Sequence, residues 1–165
     1  MLEVRIPYTF AREQTRLTWR EVLWGAENGF FLPSDIPKVA RDKLDQGSED
    51  WRLVELVGLS NQRVEDQMEV VRALAQEESF EDTAFICDKW KYLFVKRSFE
   101  TEEAEEFHKN LLDFCFEYPK DKELEKIANL KELPTSVTLE KQREETLQYL
   151  RQYLERGSIR FGPGV

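Results

Sequence analysis

The chain has 165 residues, 41% hydrophobic and 12% aromatic, which supplies material for one packed core and excludes a wholly disordered polypeptide. Acidic residues outnumber basic ones 33 to 24, and a net charge of −9 repels phosphate, which disfavours direct binding of nucleic acid or an anionic membrane. No window approaches the ~20 apolar residues of a membrane span, the N-terminus lacks a signal-peptide core, and Cys87 and Cys115 fit neither a zinc spacing nor a disulfide framework. The expectation is a soluble cytoplasmic protein whose two thiols are free and buried.

Residues 1–16 read as an extended N-terminal arm, because Val4, Ile6, Tyr8 and Phe10 alternate at period two while Pro7 bars a central strand. Thr18 to Glu21 reads T-W-R-E, a capping box in which hydroxyl and carboxylate each satisfy a backbone N–H. The helix that follows carries Trp19, Val22, Leu23 and Ala26 on one face and stops at Gly29. Phe30, Phe31 and Leu32 form an apolar link. Ser34 is the expected cap of a second helix through Ile36, Val39, Ala40 and Leu44, with Pro37 in its first turn and Gly47 as its stop. A short third helix spans about Glu49 to Leu59. Ser60 or Asn61 is expected to cap a fourth, on Val64, Met68, Val71, Leu74 and Ala75.

The segment from Asp82 to Phe99 is the predicted central helix, opened by Ser79. Ile86, Cys87, Trp90, Leu93 and Phe94 make one stripe, and Phe85, Tyr92, Val95 and Phe99 lie off it. A helix apolar around most of its circumference needs partners on several sides. Thr101 is the expected cap of the next helix, which ends at Tyr118-Pro119. Residues 120–130 form a short amphipathic helix, and the last runs from about Val137 to Arg156, stopped by Gly157. The expected fold is therefore all-α: a single-domain irregular bundle of about seven or eight helices over residues 17–156, with a flexible tail at 157–165.

Several of these signals, W-R-E-V-L-W-G-A-E-N-G-F-F-L-P at Trp19 to Pro33, then Ala40, Leu44, Gly47 and the apolar run Leu53 to Leu59, occur in a fixed order. With K-W-K-Y-L at Lys89 to Leu93 and D-F-C-F-E-Y-P at Asp113 to Pro119, the chain resembles a bacterial family of unknown function, domain-of-unknown-function family 2247, over about residues 17–156. After Pro119 the segment is lysine-rich and departs from that pattern. The resemblance implies a compact bacterial cytoplasmic protein and carries over no catalytic residue.

Catalytic chemistry finds little footing. His108 is the only histidine, and Glu105-x-x-His108 lacks the second E-x-x-H that a di-iron site requires. There is no G-x-S-x-G elbow and no glycine-rich phosphate loop. Glu78-x-x-Glu81 and Glu102-x-x-Glu105 loosely suggest the paired acids by which all-α nucleotide pyrophosphatases hold magnesium, although solvated acidic helix starts are the simpler reading. No catalytic residue, metal site or cofactor is assigned.

Binding remains. Residues 61–118 carry 15 acidic and seven basic side chains, and Glu100, Glu102, Glu103, Glu105 and Glu106 place five carboxylates within seven residues. Such a cluster steers a basic protein partner, and Trp51 and Tyr149 would serve as anchors if exposed. The leading expectation is a non-enzymatic protein-binding module, in its sharpest form an immunity-type protein masking a basic toxin. The alternative is a metal-dependent nucleotide phosphohydrolase using the acidic pairs.

Overall fold

A computed structural model describes residues 4–58, 63–102, 104–117, 122–129 and 139–162. Among them are nine α-helices, one 3₁₀ turn and no strand. The helices are α1 (Tyr8–Gln14), α2 (Trp19–Glu27), α3 (Ile36–Asp45), α4 (Trp51–Gly58), α5 (Val64–Glu77), α6 (Thr83–Thr101), α7 (Ala104–Glu117), α8 (Lys122–Asn129) and α9 (Leu139–Phe161).

The N-terminal arm is extended only as far as Pro7. The proline sits at the cap position of α1 with φ −61° and ψ 140°, and the chain then turns helical. Tyr8 and Ala11, one helical turn apart, are buried. Residues at period two and at period 3.6 coincide over so short a run, which is why Tyr8 reads equally well as part of a strand. The arm still packs on the helices: the Ile6 N–H donates to the Phe30 carbonyl at 2.8 Å. Asp35 accepts the Tyr8 N–H at 3.1 Å, and the Tyr8 hydroxyl donates to Asp42 at 2.7 Å, fastening α1 to α3.

The predicted central helix is central. Trp90, Leu93 and Val95 are fully buried, and Tyr92, Ile86 and Phe94 nearly so. Each flank of α6 meets a different aromatic group. Trp90 lies against Phe30 and Phe31 of the α2–α3 link, Phe94 stacks on Phe114 of α7 at 4.4 Å, and Tyr92 meets Phe161 of α9 at 5.5 Å. The Trp90 indole N–H is not left orphaned, since it donates to the Glu21 carbonyl at 2.9 Å.

Two glycines explain how α6 is approached so closely. A Cβ on Gly25 would come within 2.4 Å of the Trp90 ring, and one on Gly157 within 2.2 Å of the Tyr92 ring. Gly157 is thus a contact surface inside α9 rather than its stop, and the helix continues to Phe161, which is buried. The expected flexible tail is helical from 157 to 161, and residues 163–165 lie outside the described residues. Gly29 and Gly47, by contrast, have φ of +81° and +101° and end their helices as expected.

Capping follows the sequence at α2, where the Thr18–Glu21 box is complete. Elsewhere it departs. Ser34 lies in the 3₁₀ turn (Pro33–Asp35), and α3 starts behind Asp35, whose carboxylate is drawn to Tyr8 and to Lys38. Asp82, not Ser79, caps α6, accepting the Ala84 N–H at 3.0 Å. Thr101 is the last residue of α6, and its hydroxyl donates back to the Arg97 carbonyl at 2.7 Å, so it does not open α7. Ser60 and Asn61 lie outside the described residues, and α5 begins behind Arg63 with no side-chain cap.

Candidate functional site

The acidic cluster singled out in the sequence brackets the joint between α6 and α7. Glu100 and Glu106 are exposed. Glu102 is half-buried at the end of α6, with Oε2 buried and without a hydrogen-bond partner. Glu103 lies outside the described residues, as do the side chains of Glu105 and His108. The structure therefore places three of the five carboxylates and leaves two of those three in solvent.

The other acidic pair has a different fate. The chain from 78 to 82 turns back across the start of α2. The two oxygens of Glu78 accept the backbone N–H groups of Trp19 at 3.0 Å and Arg20 at 2.8 Å. Glu81 accepts the Thr18 hydroxyl. Glu21 takes the Thr18 N–H at 2.9 Å, and Thr18 takes the Glu21 N–H at 3.1 Å. Four backbone donors that a helix start ordinarily leaves open are thus satisfied, with three carboxylates set at the positive end of the α2 dipole. Each Glu78 oxygen accepts from a backbone donor of α2, and among the described residues no group of three His, Cys, Asp or Glu side chains could hold an ion.

Beneath this knot lies a buried ion pair. Lys89 of α6 donates to Glu21 at 2.9 Å and to the Arg16 carbonyl at 2.7 Å, with Glu21 only 1% and Lys89 6% exposed. Burial pushes the Glu21 carboxyl above its ordinary pKa, against the opposing pull of the Lys89 charge and the Thr18 N–H. Lys43 approaches from α3, donating to the Leu17 carbonyl at 3.1 Å with its ammonium 5.5 Å from the centre of the Trp19 ring. Burial lowers its pKa.

The same end of the molecule carries exposed aromatics. Arg52 of α4 binds Asp50 at 2.7 Å and both oxygens of Glu77, the last residue of α5. Its hydrogen bonds hold both carboxyls below their ordinary pKa. This clamp brings the start of α4 to the end of α5. Trp51, next to Arg52, is 70% exposed, and Phe80, three residues beyond Glu77, is 84% exposed. Val54 continues the apolar face of α4, one turn on from Trp51. Here a hollow of about 420 Å³ has buried Trp19, Leu53 and Leu74 in its wall and Asp50, Glu77 and Glu78 at its edge. Trp51 is an anchor expected from the sequence; Phe80 is not, because it falls between two helical patterns and belongs to neither. Tyr149, the other named anchor, is 37% exposed.

No helix among the described residues is long and apolar enough to cross a membrane. No curated protein and no solved structure matches the chain. Residues 8–158 match the family described as "Uncharacterized protein conserved in bacteria (DUF2247)". That match spans most of the sequence, from α1 into the last turns of α9, and the chain therefore belongs to this bacterial family, domain-of-unknown-function family 2247.

Proposed function

We propose that this chain is a non-enzymatic, cytoplasmic protein-binding module that docks a basic protein on the α4–α5 end. One observation carries the reading: two large aromatic side chains, Trp51 beside Arg52 in the chain and Phe80 three residues beyond Glu77, stand in solvent next to the residues of the Asp50–Arg52–Glu77 clamp. Exposing them loses the burial free energy of each, about 2–3 kcal/mol, which a partner would recover. Tryptophan and arginine in such a setting are the residue types that dominate binding energy at interfaces.

The charge around the aromatics selects the partner. Beside them stand the exposed Glu49 and Asp82, which are not spent on the Arg52 clamp or on the start of α2 as Asp50, Glu77, Glu78 and Glu81 are. Acidic side chains next to an apolar anchor complement a basic surface and speed its encounter. Glu100, Glu102 and Glu106 form a separate acidic patch at the opposite end of α6, a helix of 19 residues and about 28 Å. An immunity-type protein that masks a basic toxin is the sharpest form of this reading, and it rests on analogy with other small acidic helical bacterial proteins.

The test is affinity capture from a lysate of the native host, run with wild type, Trp51→Ala, Phe80→Ala and the triple variant Glu102→Lys, Glu103→Lys, Glu106→Lys. The expected result is one basic protein retained by wild type, weakened about thirtyfold by Trp51→Ala and released by high salt. Capture of a basic protein that only the triple variant disturbs would move the docking face to the α6–α7 joint. Capture unaffected by all three variants would overturn the reading.

A further inference from the structure

The link between α5 and α6 is fastened on both sides of its one large apolar side chain, Phe80. Before Phe80, the Glu78 carboxylate accepts the Trp19 and Arg20 N–H groups, and the Glu78 carbonyl accepts the Arg20 guanidinium at 3.2 Å. After it, Glu81 accepts the Thr18 hydroxyl, and Asp82 caps α6 through the Ala84 N–H. Only Ser79 and Phe80 lie between these fastenings, and both are exposed.

The backbone explains the arrangement. Glu78 has φ −77° and ψ 158°, and Asp82 has φ −66° and ψ 130°, both close to polyproline geometry. Such a chain repeats every three residues and makes no hydrogen bonds of its own. Glu78 and Glu81, three apart, both reach the start of α2. The link is thus held by side chains attached to another helix, and Phe80 is left off the attached side.

We propose that Glu78 and Glu81 are positioning residues for docking: by tying the link to α2 they hold Phe80 at a fixed place in solvent. This rests on the reading of the α4–α5 end as a docking face. An anchor already in place spares the complex the entropy of ordering the link. The two carboxylates act here as acceptors, so an uncharged acceptor of the same length should replace them.

Three forms of the full chain test this: wild type, the double variant Glu78→Ala, Glu81→Ala, and the double variant Glu78→Gln, Glu81→Gln, which keeps an acceptor oxygen at each position. Nitrogen-15 relaxation without any partner should give the Phe80 N–H an order parameter of about 0.85 in wild type and the glutamine variant, and below about 0.6 in the alanine variant. Should the alanine variant fail to fold, Glu81→Ala alone should show the same loosening. A Phe80 N–H that is mobile in wild type, or that stays rigid once the acceptors are removed, would overturn the proposal. So would a glutamine variant as mobile as the alanine one. The basic protein retained from the host lysate should bind the alanine variant about tenfold more weakly than wild type, the ordering cost of roughly one backbone residue, and the glutamine variant as wild type. Unchanged affinity for the alanine variant would overturn the positioning role alone, whereas capture indifferent to Trp51→Ala and Phe80→Ala would remove the docking reading beneath it.

Discussion

Two acidic stretches of nearly the same spelling, Glu78-Ser-Phe-Glu81 and Glu102-Glu-Ala-Glu105, end up doing different work. The first lies across the start of α2, where backbone N–H groups and the Thr18 hydroxyl take up its oxygens. The second belongs to the α6–α7 joint, where Glu100 and Glu106 face solvent and Glu102 is half-buried. What separates them is not the acids but the donors they meet. A carboxylate that finds an open helix start becomes structure, and one that finds water remains available to a partner.

The largest way to break this contrast lies under the first stretch. Lys89→Met leaves the Glu21 carboxylate buried without its counter-charge, and the expected loss is about 3–5 kcal/mol at neutral pH. For a chain of this size that is a fall in melting temperature on the order of 10 °C. The loss should shrink in acid. The folded Glu21 carboxyl already has a raised pKa, and without Lys89 it rises further. A group with a raised folded pKa favours the fold below its unfolded pKa, and that contribution is lost as pH rises through the folded value. Thermal melts across pH should therefore show wild type and Lys89→Met converging as pH falls. A gap that widens in acid would contradict the buried-pair account.

Next comes the close approach of the helices. Gly157→Ala drives a methyl into the Tyr92 ring and should cost about 1–3 kcal/mol by overpacking, whereas a glycine inside a helix with open space around it would gain from alanine. Urea unfolding decides between the two signs. Glu78→Ala, which frees two backbone donors at the start of α2, should cost about 1–2 kcal/mol in the same assay. The smallest effect belongs to the α6–α7 joint: Glu106→Lys should change stability by no more than about 0.5 kcal/mol. If Glu106→Lys destabilised as much as Glu78→Ala, the contrast between the start of α2 and that joint would fail.

Local signals were read well from the sequence. The Thr18–Glu21 box, the stops at Gly29 and Gly47 and the all-round apolar character of α6 each depend on residues within a few positions of one another. The misreadings share a different origin. Ser79 has the chemistry of a cap, but Glu78 is pulled to α2, nearly 60 residues earlier, and the helix waits for Asp82. Gly157 looks like a stop until Tyr92 is seen against it. Of the candidate site, Trp51 was nameable and its exposure was not, because exposure depends on which face of α4 the bundle covers. Phe80 carried no signal at all.

The covering of α6 has a consequence for synthesis. Its flanks are closed by residues as early as Phe30 and as late as Phe161. A ribosome that has made residues 1–101 has released the first partners of Trp90 but not the partners of Phe94 and Tyr92. The emerging chain must carry a half-clothed aromatic helix until α9 is translated, an interval in which apolar surface is open to premature association.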